Sequence, residues 1–296
     1  MTAVLKAVFL PTRFSPFCVL FLIFQLLVLL FNSTAVAMDK VKVAIAQIRC
    51  VDSDMEGNLE RISRMVIQAK SQGAQLVFFP ETADLGWVNP QAHGLAGPVP
   101  GPFSSRVSEL ARSNDIWIGV GLCEKHGERL YDSAVLIDPS GEIVLKHRKI
   151  NLLDWLMEPP YTAGSIEDIK AVQTPFGRIG VMICADSFKE DLREAMLVQK
   201  PDLIYIPYGW AAPREKWPEH SFSLVRTVQK AARHIGAVVI GPNLVGEITH
   251  GPWKGQTFEG LSTAADRDGM SLVQGKWNKE DLLVIEVEPG HVSRTK

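Results

Sequence analysis

The chain has 296 residues, 46% of them hydrophobic, with 31 lysines and arginines against 33 acidic side chains. That length supplies one large core or two modest ones. A net charge of −2 gives no electrostatic basis for binding nucleic acid or an anionic membrane, and no repeat, low-complexity tract or long like-charge run interrupts the chain.

Residues 1–37 differ from the rest. Lys6 and Arg13 come first with no acid, then the apolar run FCVLFLIFQLLVLLF (17–31), then NSTAVA. Ala35 and Ala37 have the A-x-A spacing that signal peptidases accept. The run is shorter than the roughly 20 apolar residues of a spanning helix. The segment reads as an export signal cleaved after Ala37, so that membrane contact is transient and residues 38–296 form one periplasmic or secreted domain. An uncleaved N-terminal anchor, or an internal start at Met38, is the alternative. Cys18 sits near the start of the apolar run, badly placed for a lipid-modified terminus. Without the signal, Cys50, Cys123 and Cys184 remain. An odd count leaves at least one thiol unpaired in a monomer. Cys50 and Cys123, each beside a strand end, are the candidate pair for a disulfide.

From Met38 onward, short β-rich runs alternate with helical periods. VKVAIAQI (41–48) reads as a buried strand, and Asn58 as the cap of a helix running to Gln72, with Ile62, Met65, Val66 and Ala69 on one face. QLVFFP begins a second strand after Gly73. A helix over 105–113 precedes a third strand, IWIGVGLC, and YDSAVLID and EIVLKHRK form a hairpin about the turn PSG (139–141). After an irregular stretch (151–168), AVQTPFGRIGVMIC reads as a hairpin whose second arm ends at Cys184. A helix over 189–199, the strand DLIYIP, a long helix within 218–234 and the strand AVVIGPN repeat the alternation. GLSTAAD, GMSLVQG and LLVIEVEP are three strand-like runs in the tail. Mixed α/β layers around one core follow.

Three of these strands end in reactive side chains: QLVFFP in Glu81, EIVLKHRK in Lys149, IGVMIC in Cys184. In open α/β sheets ligands gather at the carboxyl ends of strands. Singly, each has a plain structural explanation: a core cysteine, a loop acid, one charge of a solvated face. Together they are coherent chemistry. A thiol with an ordinary pKa near 8.5 needs a base to take its proton. The same carboxylate can return that proton to a departing amine. A fixed ammonium and a backbone N–H can stabilise the oxyanion between those events.

These segments resemble the carbon–nitrogen hydrolase (nitrilase-like) superfamily, in its amidase-type form. LVFFPETADLGW is similar to that family's glutamate motif, LKHRKINL to its lysine motif and GRIGVMICADSF to its cysteine motif. HIGAVVIGPNLVG and FEGLSTAADRDG are weaker matches. The resemblance runs from Val41 to about Pro289. It implies an α-β-β-α sandwich, a homo-oligomer (a dimer or higher), and a catalytic set of Glu81 as general base and acid, Lys149 as oxyanion stabiliser and Cys184 as nucleophile. Glu158 in MEPPYTAG looks like the second glutamate that amidases and carbamoylases of the family place after the lysine, with a positioning role. Ala185 supplies a candidate oxyanion N–H, Asp186 a structural cap of the following turn or a bond to nearby backbone, and Tyr208, Trp210 and Trp217 in PYGWAAPREKW a candidate pocket wall.

Two departures narrow the activity. Nitrile-hydrolysing members usually have Trp then Glu after the cysteine, where Ala185 and Asp186 stand here. Carbamoylases often carry an arginine three places after it, where Ser187 stands, with Arg193 or Arg214 as substitutes. The implied function is hydrolysis of a non-peptide amide C–N bond in a small molecule through a cysteine acyl-enzyme. N-carbamoyl hydrolysis, or a catalytically silent binding module of the same fold, is the alternative. The seven histidines show no metal-ligand spacing, and the chemistry calls for no metal and no organic cofactor.

Overall fold

A computed structural model of the chain describes residues 40–153 and 157–290. The expected export signal, with Lys6, Arg13, Cys18, Ala35 and Ala37, lies outside the described residues.

The first half builds a six-stranded sheet. β1 (Val41–Gln47), β2 (Leu76–Phe78) and β3 (Trp117–His126) run parallel, joined through α1 (Met55–Ser71) and α3 (Pro102–Asn114), with the short α2 (Ala92–Leu95) between β2 and α3. β4 (Arg129–Ile137) and β5 (Ile143–Arg148) extend it as antiparallel hairpins. The second half repeats the plan. β6 (Ala171–Thr174) and β7 (Gly177–Val181) form a hairpin. β7, β8 (Leu203–Tyr205) and β10 (Val238–Gly241) then run parallel, connected by α4 (Glu190–Val198) and α5 (Glu219–Ile235). β13 (Thr263–Ala265) and β14 (Ser271–Gln274) close that sheet, and β15 (Asp281–Val287) returns to pair antiparallel with β1. The strand orders are β15-β1-β2-β3-β4-β5 and β14-β13-β10-β8-β7-β6. The result is the expected α-β-β-α sandwich.

Strand periodicity explains the layers. Val43, Ile45, Leu76, Phe78, Ala134 and Leu136 pack in one cluster with Ile179, Val181 and Tyr205 of the second sheet. Their neighbours Ala44, Ala46, Val77, Val135 and Ile137 pack with Leu59, Ile62, Val66 and Val107 of α1 and α3. A residue spacing of two sends alternate side chains to opposite faces of a sheet. Across the inter-sheet core the Phe78 and Tyr205 rings stack with centroids 4.8 Å apart, and the Tyr205 hydroxyl donates to the Phe79 carbonyl. The end of β2 is therefore pinned to β8, where the site lies.

Several boundaries differ from the sequence reading. α1 begins three residues before Asn58, and its cap is Asp54, whose Oδ1 accepts the Gly57 N–H at 3.1 Å. Asn58 is instead buried and ties three segments together: its Nδ2 donates to Val51 O at 2.7 Å and Asp84 O at 2.8 Å, and its Oδ1 accepts from Val51 N. β7 stops at Val181, and Cys184 opens a short 3-10 turn, Cys184–Phe188. A small sheet of β11 (Val245–Glu247), β12 (Thr257–Glu259) and β9 (Ala211–Ala212) had no clear sequence signal, since two or three residues cannot establish a period. Cys50, Cys123 and Cys184 are all unpaired and buried, so the suggested pairing of Cys50 with Cys123 is not made.

Candidate active site

Glu81 follows β2 and is fully buried. Its backbone is held by close passage of β3. The Gly121 N–H donates to Pro80 O at 3.1 Å, and the Ala83 N–H donates to Gly121 O at 2.9 Å. A Cβ at position 121 would lie 2.6 Å from Pro80 O and 2.7 Å from Glu81 Cα, so only glycine permits this approach.

Lys149 follows β5 and continues its pairing, its backbone N–H donating to Asp132 O at 2.8 Å. Its Nζ donates to Glu81 Oε1, and to Asp132 Oδ2 at 3.2 Å. The neighbouring cations are spent elsewhere. Lys146 and Arg148, on one face of β5, bind Glu124 at 2.7 and 2.6 Å. Burial would raise the Glu124 carboxyl, but hydrogen bonds from Arg148, Lys146 and Ser133 bring it down to about 2. KHRK thus separates into two structural cations and one site lysine.

Cys184 sits where the chain leaves β7. Ile183 is extended, and Cys184 turns into the left-handed region with φ 42°, a conformation that costs a non-glycine residue on the order of 1 kcal/mol. The strain is held by the surroundings: the Cys184 N–H donates to Pro207 O at 3.0 Å, and Ser187 Oγ donates to Cys184 O at 2.7 Å. Asp186 fastens this elbow to the lysine segment. Its Oδ1 accepts from the backbone N–H groups of Ile150 and Asn151 at 3.0 and 2.8 Å. Its Oδ2 accepts from the Ile183 N–H at 3.0 Å and lies 2.9 Å from His147 Nε2. Burial opposes the charge on Asp186, but His147 and these amides outweigh it and hold the carboxyl below its usual range. Asp186 therefore has the backbone-bonding role expected of it.

The electrostatics define a resting state. Burial pushes the Cys184 thiol well above its ordinary value and the Glu81 charge pushes it further; the Lys149 ammonium and the Gly209 backbone N–H pull the other way. Burial would lower Lys149, but Glu81 and Asp132 outweigh it and keep the ammonium charged. These surroundings favour the neutral thiol of Cys184, which lies beside the Glu81 carboxyl group.

The structure brings Glu81, Lys149 and Cys184 into one buried cluster, with Ala185 and Tyr208 buried beside it. Ala185 is the second residue of the 3-10 turn, where leading N–H groups lack intrahelical acceptors. The Tyr208 hydroxyl lies 3.1 Å from Ser187 Oγ, and its ring meets the half-buried Trp210 edge-on at 6.0 Å. Trp217 meets Trp277 instead, the two rings tilted at 46° with centroids 5.2 Å apart. Glu158 is not brought in: it is exposed, and its neighbour Met157 is the buried residue. Met157 joins Trp87, Leu153, Pro160 and Tyr161 around a cavity of about 20 Å³ that reaches Lys149. An apolar thioether fills that wall at less cost than an unpaired carboxylate would. Of the two suggested arginines, Arg193 is buried with Nη1 donating to Ser187 O at 2.7 Å, and Arg214 is exposed.

Sequence reasoning missed two participants. Asp132, buried, is the second carboxyl group on Lys149, and its only signal was an acid leading the apolar run YDSAVLID. The Gly209 backbone N–H favours the charged form of Cys184, and a Cβ at position 209 would lie 2.8 Å from the Trp87 ring and 3.0 Å from Glu81 Oε2.

Comparison with known proteins agrees with this fold. The family model for carbon-nitrogen hydrolases matches residues 42–296, and the chain belongs to that family: it is a carbon–nitrogen hydrolase. It is 27% identical over 305 residues to nitrilase 3 of Arabidopsis thaliana, covering 83% of this chain and 86% of that one. It is 27% identical over 248 residues to a formamidase of Bacillus cereus (strain G9842), covering 80% and 69%. Among solved structures, an amidase from Nesterenkonia sp. has the same fold with a TM-score of 0.74 at 20% identity, covering 88% of this chain and 94% of that one.

Proposed function

We propose that the chain hydrolyses small non-peptide amides through an acyl-thioester on Cys184. The observation that carries this reading is the closed cluster in which buried Glu81 and Lys149 pair beside the left-handed Cys184 elbow. Glu81 takes the thiol proton as Sγ attacks the carbonyl carbon, and the carbonyl oxygen becomes an oxyanion facing the Lys149 ammonium and the Ala185 N–H. Collapse of that intermediate breaks the C–N bond, and Glu81 returns the proton to the departing ammonia or amine. Water, deprotonated by Glu81, then attacks the thioester, releasing the carboxylic acid and the thiol. The relative named a formamidase supports the same class of substrate.

A panel of amides, N-carbamoyl compounds and nitriles, read by ammonia release, tests this. Short amides should turn over, and Glu81→Gln should lose the burst of released amine. Turnover of nitriles or carbamoyl compounds alone would contradict it, as would a normal burst in Glu81→Gln. Export remains a proposal resting on residues 1–37, tested by whether the native chain begins at Met38 or retains Met1. A homo-oligomer remains one resting on the family resemblance, which a monomeric mass by light scattering would refute.

A further inference from the structure

The Lys149 ammonium is shared by two buried carboxyl groups, and the site holds too much negative charge if both are ionised. Glu81 and Asp132 are 0 and 1% exposed, and Lys149 is 5% exposed, so water screens none of them. Glu81 Oε2 and Asp132 Oδ1 are each buried without a hydrogen-bond partner. Two carboxylates accept only, whereas a carboxylic acid also donates. One proton on this pair therefore supplies the missing donor and brings the cluster, with its thiol neutral, to zero net charge.

We propose that Asp132 is a positioning residue that holds this proton in the resting enzyme, leaving Glu81 as the anion that faces Cys184 and Lys149 clamped between an acid and a carboxylate. The assignment to Asp132 rather than Glu81 follows from its surroundings. Six titratable groups face it: Glu81 after β2, Cys123 opposite it on β3, Lys149 after β5, Tyr161 from the loop after β5, Cys184 after β7 and Tyr205 on β8. Of these Lys149 alone is a cation, and it lies closer to Glu81 than to Asp132. Burial and then the Glu81 charge push the Asp132 carboxyl well above its ordinary value, with Lys149 opposing them. The two carboxyl groups share one proton, and it is assigned to Asp132. Asp132 touches Lys149 and Glu81 and acts through them. The catalytic part of this inference rests on the amide-hydrolase reading, whereas the position of the proton does not.

The test combines infrared spectroscopy of the purified chain with pH–rate profiles for Asp132→Asn and Asp132→Ala. Asparagine keeps an acceptor for Lys149 and a donor for Glu81 but carries no titratable proton. The wild-type chain should show the carbonyl stretch of a protonated carboxyl that is lost in Asp132→Asn. With isotope-labelled aspartate that band should be present at neutral pH and persist in an Asp84→Asn background, which separates it from Asp84, pushed up to about 7 by burial. Asp132→Asn should keep kcat/KM within about fivefold, with the acidic limb of its profile unmoved. Asp132→Ala should lose about tenfold or more in kcat with little change in KM, because Lys149 is no longer held. Absence of any labelled band at neutral pH would overturn the proposal, and this reading needs no variant to fold. An acidic limb displaced downward by about a unit in Asp132→Asn would also overturn it, since that is the effect of removing a negative charge from beside Glu81. If the band is present but no amide is turned over, the proton assignment stands and the amide-hydrolase reading fails.

Discussion

Replacing Asp84 by asparagine should change stability in a way that depends on pH. Asp84 is buried three residues beyond Glu81, with both carboxyl oxygens 3.0 Å from the Cys123 N–H and Oδ1 2.8 Å from the Leu85 N–H. Burial pushes the carboxyl up to about 7 from an ordinary 3.8, despite those hydrogen bonds. A folded-state value above the unfolded one means that the contribution to stability is whole below the unfolded value and is lost as pH rises through the folded one. With about 1.4 kcal/mol per unit, ionising Asp84 costs the fold about 4 kcal/mol once pH exceeds 7, and about 3 kcal/mol of this falls between pH 5 and pH 9. Asparagine removes the charge and retains an acceptor for the Leu85 N–H. Urea denaturation of both proteins at pH 5, 7 and 9 should show the variant gaining about 3 kcal/mol relative to wild type across that range. A difference that stays constant within about 0.5 kcal/mol would show that Asp84 titrates alike in both states, and the argument from burial would fail.

Gly209→Ala should cut kcat by about tenfold or more while the circular dichroism spectrum is unchanged, because the added methyl meets the Trp87 ring and Glu81 Oε2. A kcat within twofold of wild type would contradict the close approach. Asp186→Ala strands His147 and three backbone N–H groups, and should destabilise the fold by about 3 kcal/mol or more in the same denaturation assay. A loss below about 1 kcal/mol would remove Asp186 as the fastener of the elbow. Thiol labelling of the native chain should modify Cys184 first, and denaturation should release Cys50 and Cys123 as two further free thiols. Peptide mapping that found Cys184 in a disulfide in active enzyme would overturn the mechanism.

The layers and the reactive strand ends were legible because both depend on local pattern. Alternation in VKVAIAQI and QLVFFP fixes which side chains face the second sheet, and an apolar run that stops at Glu81, Lys149 or Cys184 marks where a side chain surfaces. What was illegible depends on distant partners. Asp132 acquires its role only when β4 is laid beside β5 and Lys149 swings toward β2. Gly209 matters because of a Trp87 ring and a carboxylate more than a hundred residues away in sequence. Asn58 looked like a cap because short polar side chains often are caps, but burial under Asp84 gave it other partners. Glu158 was selected through a family resemblance in a loop whose wall is completed by its neighbour, Met157.

The central claim is a covalent acyl group on Cys184, and rapid-quench mass spectrometry of the intact chain tests it most directly. Mixed with a short amide and quenched within one turnover, the protein should gain the mass of the acyl group, and peptide mapping should place it on Cys184. The adduct should disappear with time in the wild type and be absent from Cys184→Ser and Glu81→Gln. An acyl group on another residue, or turnover of the amide in Cys184→Ser at the wild-type rate, would contradict the account.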